Sequence, residues 1–264
     1  MQLGFIGCGN MANAMMKGII GNNIIPKDQI IAFDISENST GKAAKELGIC
    51  IADDNKKLVE QSEIIVLAVK PQYYEEVIRE IKDSVTEDKI IVTIAPGKTL
   101  EWVIGQFGKN VKIVRTMPNT PALVGEGITA ACSNEFVTDE ELTKVVNILK
   151  GFGRCEVISE NLMDVVVSVS SSSPAYVFMF IEAMADAAVA DGMPRAQAYE
   201  FAAQAVLGSA KMVLETGKHP GELKDMVCSP GGTTIEAVRV LEERGMRSAV
   251  IEAMKACTKK AKGM

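Results

Sequence analysis

The segment Gly7-Cys8-Gly9-Asn10-Met11-Ala12 constrains this chain more than any other. It lies between a short apolar run, residues 2–6, and a helical spacing of Met, Ala and Ile over residues 11–20. A GxGxxA sequence in that strand–turn–helix setting has a physical logic. Gly7 permits the tight turn, Gly9 lets the backbone approach a pyrophosphate, and Ala12 lets helix and strand pack closely. The helix start adds free N–H groups and the positive end of its dipole. A bare tight turn would explain the glycines alone; the context favours a dinucleotide.

The alternation continues. Residues 29–33, 63–69, 89–94, 111–114, 127–132 and 154–157 read as strands, and residues 40–47, 72–82, 100–107 and 139–150 as helices. Residues 63–69 (EIIVLAV) are apolar without a break, as a strand covered on both faces requires. Repeated βα units predict an α/β, Rossmann-type, doubly wound parallel sheet with helices on both faces. From about Asn161 the strand signals stop, and residues 174–190, 194–216, 220–227, 233–244 and 246–262 read as helices. We therefore expect a dinucleotide-binding domain over residues 1–158 and an all-helical domain over residues 159–264.

Residues 175–190 (AYVFMFIEAMADAAVA) are apolar nearly all round, so that helix must be covered on most sides. About 100 residues of helix are too few to enclose it, which predicts a homodimer formed through this domain. Burial between the two domains of a monomer is the alternative. Hydrophobic residues are 47% and charged residues 23% of the 264, a globular rather than a disordered mix. The net charge of −6 argues against a general grip on nucleic acid. A single histidine, His219, argues against a multi-histidine metal site and leaves little room for a Ser-His-Asp hydrolase. The six cysteines are scattered, with no CxxC pair, which suits reduced thiols. No signal-peptide pattern is visible. Serines, Pro174, Glu182 and Asp186 interrupt residues 165–189, so no membrane span is expected. The expectation is a soluble, cytoplasmic protein without metal.

Further candidates follow the strands. Asp34 ends the second strand, where an acid can bond the ribose 2′-OH of NADH and repel the 2′-phosphate of NADPH; it can equally cap the turn before Ser36. Ala68-Val69-Lys70-Pro71 ends the third predicted strand, and Lys70 there can meet a phosphate or substrate, or simply snorkel. Met117-Pro118-Asn119-Thr120-Pro121 reads as a stiff loop. Ser229-Pro230-Gly231-Gly232-Thr233-Thr234 opens a helix with a Gly-rich turn and hydroxyls, a site for an anion such as a carboxylate, unless Thr233 or Thr234 merely caps the helix.

Taken together, these blocks, with Pro174-Ala175-Tyr176 and His219-Pro220, resemble the pyrroline-5-carboxylate reductase family over essentially the whole chain. The Ser-Pro-Gly-Gly-Thr-Thr block preceded by Leu223-Lys224-Asp225 is the most specific. The resemblance implies reduction of the C=N bond of Δ1-pyrroline-5-carboxylate to L-proline by NADH or NADPH, the last step of proline biosynthesis. It implies a helical domain that interlocks with a partner subunit, and dimers that can build rings. It implies that Thr234 bonds the substrate nitrogen and that Ser229, Gly232, Thr233 and Thr234 hold the substrate. Glu160 is implied at the edge of the substrate site, with helix-start charge as an equal alternative. Asn55 is implied beside the adenosine, and Ala95 and Pro96 near the nicotinamide. The cofactor set is then Gly7, Cys8, Gly9, Asn10, Met11, Ala12, Asp34, Asn55, Ala68, Val69, Lys70, Pro71, Ala95 and Pro96.

Three departures stand out. Ser171 and Ser173 occupy positions where the family usually has glycine, and Pro96 replaces a usual alanine. Asp34-Ile35 stands where many members carry Asn-Arg, which leans toward NADH. A β-hydroxyacid dehydrogenase would carry a lysine within residues 161–190, and there is none. A related cyclic-imine reductase and a non-catalytic dinucleotide sensor are the remaining alternatives.

Overall fold

The computed structural model describes residues 2–263. Among them, eight strands form one sheet: β1 (Leu3–Ile6), β2 (Ile30–Phe33), β3 (Cys50–Ile51), β4 (Ile64–Leu67), β5 (Ile90–Thr93), β6 (Lys112–Met117), β7 (Gly127–Ser133) and β8 (Gly153–Val157). Their order is β3-β2-β1-β4-β5-β6-β7-β8. Neighbours are parallel except β6 and β7. Helices α1 (Asn10–Gly21), α2 (Glu37–Leu47), α3 (Asn55–Gln61), α4 (Tyr74–Ile81), α5 (Leu100–Phe107) and α6 (Asp139–Leu149) connect the strands. β1, β4 and β5 are buried at every position, because apolar clusters cover both faces of the sheet.

The predicted doubly wound plan is the one observed, with two elements added. β3 is an edge strand of two exposed residues, too short to show a period. α3 is capped by Asp54, whose side chain accepts from Lys57 N, and buries only Asn55, Leu58 and Val59. The chain order reverses between β1 and β4, so the connections leave in opposite directions there and open a crevice at the carboxyl ends of the strands.

After β8 the chain becomes helical: α7 (Met163–Val166), a π-helical turn (Val167–Ser171), α8 (Ser173–Ala190), α9 (Arg195–Thr216), α10 (Pro220–Val227), α11 (Thr233–Glu243) and α12 (Met246–Ala261). One compact unit comprises the chain through Ser171 together with Thr258 onward; the other is Ser172–Cys257. In the first unit, Thr258 Oγ1 meets Ser168 Oγ at 2.9 Å. The π turn answers the serine departures. Ser171 lies in that turn and Ser173 opens α8, neither with a positive φ, so serine adopts both backbones without strain, although the Ser171 Oγ is buried without a hydrogen-bond partner. Ser168 and Ser170 donate to the carbonyls of Val165 and Val166, the local bonding that accompanies an opened turn.

The helical unit is poor in buried side chains. α8 buries only Ala185, α9 only Ala198 and Ala202, and α10–α12 none. Phe178, Met179 and Phe201 stand more than 60% exposed. Within one chain, α8 is therefore not covered on most sides as its sequence demands. By length and composition alone the helical stretch Glu160–Ala190 could cross a bilayer, a test that the core helix of a soluble protein passes as well. The serines and Pro174 do not break it, because the π turn absorbs the serines and Pro174 sits in the first turn of α8.

Tyr74 fixes the crevice mouth. It is fully buried, its hydroxyl donates to Leu67 O at the end of β4, and it accepts from Ile94 N just past β5, at 3.2 Å. Burial pushes its phenol well above the ordinary range. Tyr74→Phe leaves both backbone groups unpaired and should cost about 2 kcal/mol. Urea unfolding should show a lower midpoint at unchanged slope; an unshifted midpoint would contradict this role.

Candidate active site

Gly7 needs its glycine twice over. Its φ is +104°, and a Cβ there would sit 2.8 Å from the carbonyl oxygen of Ala68. Its N–H donates to Phe33 O at 2.7 Å, tying the loop to β2. Gly9 caps α1 in an extended conformation, and a Cβ there would meet nothing within 4 Å. That open space and the unshared N–H groups of the first turn of α1 form a cradle for a diphosphate.

The cradle forms one wall of a cavity of about 890 Å³ at the carboxyl ends of β1, β2, β4 and β5. Gly7, Gly9, Asn10 and Met11 line it from the loop, and Asp34 from the end of β2. Ala68, Val69, Lys70 and Pro71 line it from the end of β4, Ala95 and Pro96 from the end of β5, and Asn55 from the start of α3. Twelve of the fourteen residues expected around the cofactor therefore share one cavity. The other two, Cys8 and Ala12, are buried behind it. The Cys8 N–H is bonded to Asp34 Oδ2 at 2.8 Å and is already taken. Burial, helped by Asp34, pushes the Cys8 thiol up to about 12, so it remains an inert packing group.

Asp34 turns out to serve the loop. Its second oxygen accepts from Ser36 N at 2.9 Å, so the turn-capping alternative is realised while the carboxylate still faces the cavity. Asn13, which sequence reasoning passed over, clamps the Gly-rich loop from α1 by donating to Cys8 O (2.6 Å) and Gly9 O (3.0 Å). Asn119 explains the stiff loop after β6. Buried, it accepts from Ile128 N at 2.9 Å and donates to Ser170 O in the π turn at 3.0 Å. Its neighbours Thr120 and Leu123 reach the cavity. The acidic pair Glu76 and Glu80, one turn apart on α4, also lines it. Sequence reasoning missed them because nothing in a helical spacing says which polar face meets a ligand.

Glu160 does not line the cavity. Its Oε1 accepts from Leu100 N, at the start of α5, at 2.7 Å and from Arg115 Nη1 at 2.8 Å. Arg115 lies on β6 with its side chain 3% exposed, and Asp164 stands 3.8 Å from its Nη2. Glu160 thus neutralises a buried cation and caps a neighbouring helix rather than the one it begins.

In the helical unit, the Gly-rich turn follows α10. Gly232 N donates to Ser229 O at 3.0 Å, Gly231 has φ +69°, and a Cβ on Gly232 would lie 2.5 Å from Ser229 Oγ. Gly232 is the N-cap of α11, and no side chain caps that helix. Thr233 and Thr234 are its first two residues, so the alternative in which they act as caps does not hold. The turn leaves helix N–H groups and two threonine hydroxyls together, with Thr234 half-buried. His219 caps α10 instead, its Nδ1 accepting from Gly221 N at 3.0 Å. All six cysteines are free thiols.

Two family descriptions match the chain. Residues 160–264 match the family described as "Pyrroline-5-carboxylate reductase dimerisation". Residues 2–97 match "NADP oxidoreductase coenzyme F420-dependent". The chain is 54% identical over 260 residues to a pyrroline-5-carboxylate reductase of Escherichia coli, covering 98% of this chain and 97% of that protein. The chain belongs to the pyrroline-5-carboxylate reductase family. A pyrroline-5-carboxylate reductase of Methanosarcina acetivorans is 41% identical over 99% of this chain and 97% of its own. The solved pyrroline-5-carboxylate reductase structure from Coxiella burnetii superposes with a TM-score of 0.93 at 33% identity, covering 99% of this chain and 97% of that one. The Plasmodium falciparum pyrroline carboxylate reductase, solved with NADP bound, gives 0.90 at 34% identity and the same coverage. Family membership makes this chain a nicotinamide-dinucleotide oxidoreductase.

Glu160→Ala should cost about 2 kcal/mol by leaving Arg115 without its near partner. Affinity for NADH should stay at the wild-type value. Loss of NADH binding at unchanged thermal stability would instead place Glu160 at the ligand.

Proposed function

We propose that this protein reduces the C=N bond of Δ1-pyrroline-5-carboxylate to L-proline, the last step of proline biosynthesis, as a homodimer in the cytoplasm. The observation that carries the reading is the pairing, in one chain of this family, of a dinucleotide cradle at Gly7–Gly9 with an uncapped helix start at Ser229–Thr234. The nicotinamide supplies the hydride. The chain's residues bind and orient. The α11 N–H groups, with the hydroxyls of Ser229 and Thr233, hold the substrate carboxylate. The Thr234 hydroxyl bonds the ring nitrogen and passes it a proton from water, because a threonine hydroxyl is too weak an acid to act unaided. Positioning and electrostatics carry most of the rate.

NADH is the preferred reductant in this reading. Asp34, Glu76 and Glu80 all line the cavity, and three carboxylates oppose a 2′-phosphate. The exposed apolar helices α8 and α9 support dimerisation through the helical unit, and the dimers assemble further into a ring.

Loss of nicotinamide absorbance on adding Δ1-pyrroline-5-carboxylate tests the activity, with NADH and NADPH in parallel. Oxidation of neither, with cofactor binding intact, would overturn it. Thr234→Ala should lower kcat by about 100-fold and leave NADH affinity unchanged; wild-type turnover would remove Thr234 from the mechanism. Asp34→Ser should raise the NADPH-to-NADH ratio of kcat/KM about tenfold, from one like charge removed. An unchanged ratio would show that Asp34 serves only the loop.

A further inference from the structure

Asn55 holds an unmade hydrogen bond. The residue is 4% exposed at the start of α3. Its Nδ2 donates to Glu80 Oε2 at 2.8 Å, and its Oδ1 is buried with no partner. Both residues line the dinucleotide cavity, which Asp34 also lines from the end of β2. A buried amide oxygen left unpaired costs about as much as a lost hydrogen bond, so a native protein keeps one where a ligand will fill it.

The orientation of the amide is forced by chemistry. A carboxylate can only accept, so the NH2 group of Asn55 must face Glu80 and the carbonyl must face away. Glu80 is on α4, one turn from Glu76, so its place is set by a different element from the one that carries Asn55. The bond to Glu80 is what stops the Asn55 amide from turning over.

We propose that Glu80 is a positioning residue for cofactor recognition. By fixing the Asn55 amide, it presents Oδ1 as an acceptor to a hydrogen-bond donor on the adenosine half of the dinucleotide. This rests on the proposed use of the cavity for NADH. The chemistry it selects is an N–H or O–H donor, found on both the adenine amine and the ribose hydroxyls. Glu80 itself touches no reacting atom.

Binding is the readout, followed by NADH fluorescence on mixing with the full-length protein. Wild type, Asn55→Ala, Glu80→Ala and the double variant complete a cycle. Each single change should weaken NADH binding about tenfold, the effect of one buried hydrogen bond. The double variant should be no weaker than Asn55→Ala, because Glu80 acts through Asn55. Additive losses, or a Glu80→Ala that binds NADH as wild type does, would overturn the proposal. Glu80→Gln keeps the shape but can face either end of the amide, so it should recover only part of the loss. Full recovery would also overturn it. That variant decides the matter if Asn55→Ala fails to fold. Reduced nicotinamide hypoxanthine dinucleotide, which lacks the adenine amine, separates the donors. A wild-type loss with this analogue that disappears in Asn55→Ala assigns the adenine amine, and equal binding of analogue and NADH assigns a ribose hydroxyl. A wild-type protein that binds no dinucleotide would refute the cavity's proposed use itself, a result distinct from every arm of the cycle.

Discussion

The site depends on a close approach between two neighbouring strands. Gly7 follows β1 and Ala68 follows β4, and the space between them admits no side chain on Gly7. That approach lies where the strand order reverses, so the Gly-rich turn and the crevice beside it, the proposed dinucleotide site, are set by one contact. Asp34 ties the loop to β2, Asn13 ties it to α1, and Tyr74 joins the ends of β4 and β5. The cavity is therefore held by hydrogen bonds to backbone from three directions.

Buried polar groups divide the rest into support and recognition. Arg115 is satisfied on one nitrogen by Glu160, which also closes the start of α5. Asn119 uses both ends of its amide, joining the start of β7 to the π turn. Asn55 uses one end only, and the residue lines the cavity. An amide with both ends satisfied is a strut; one with a free buried end is half of an interaction.

Much of the plan was legible because apolar strands covered on both faces leave an unbroken pattern, as in Ile64–Leu67. The helices Leu100–Phe107 and Pro220–Val227 fall at their expected bounds, since Thr99 with Gly108, and His219 with Pro220, mark their ends chemically. α3 was hidden because seven residues with two apolar side chains show no period, and β3 because its two residues are exposed. At the site, sequence placed Asp34 and Asn55 but not the use of their atoms. Asp34 reads as a ligand and is also a loop clamp. Glu160, expected at the edge of the substrate site, is also a counter-ion to Arg115, a pairing across 45 residues that no spacing rule contains. The glycine-to-serine departures looked consequential, yet the π turn there is ordinary helical backbone in sign.

The helical unit has hardly any interior of its own, since its large apolar side chains point outward. Its order must then come by mass action from whatever covers that face. In the proposed homodimer, folding of this half would be a bimolecular event, and dilution would act on it as a denaturant does. Where two alleles are expressed together, a subunit altered on that face would carry its defect into the sound chains it pairs with.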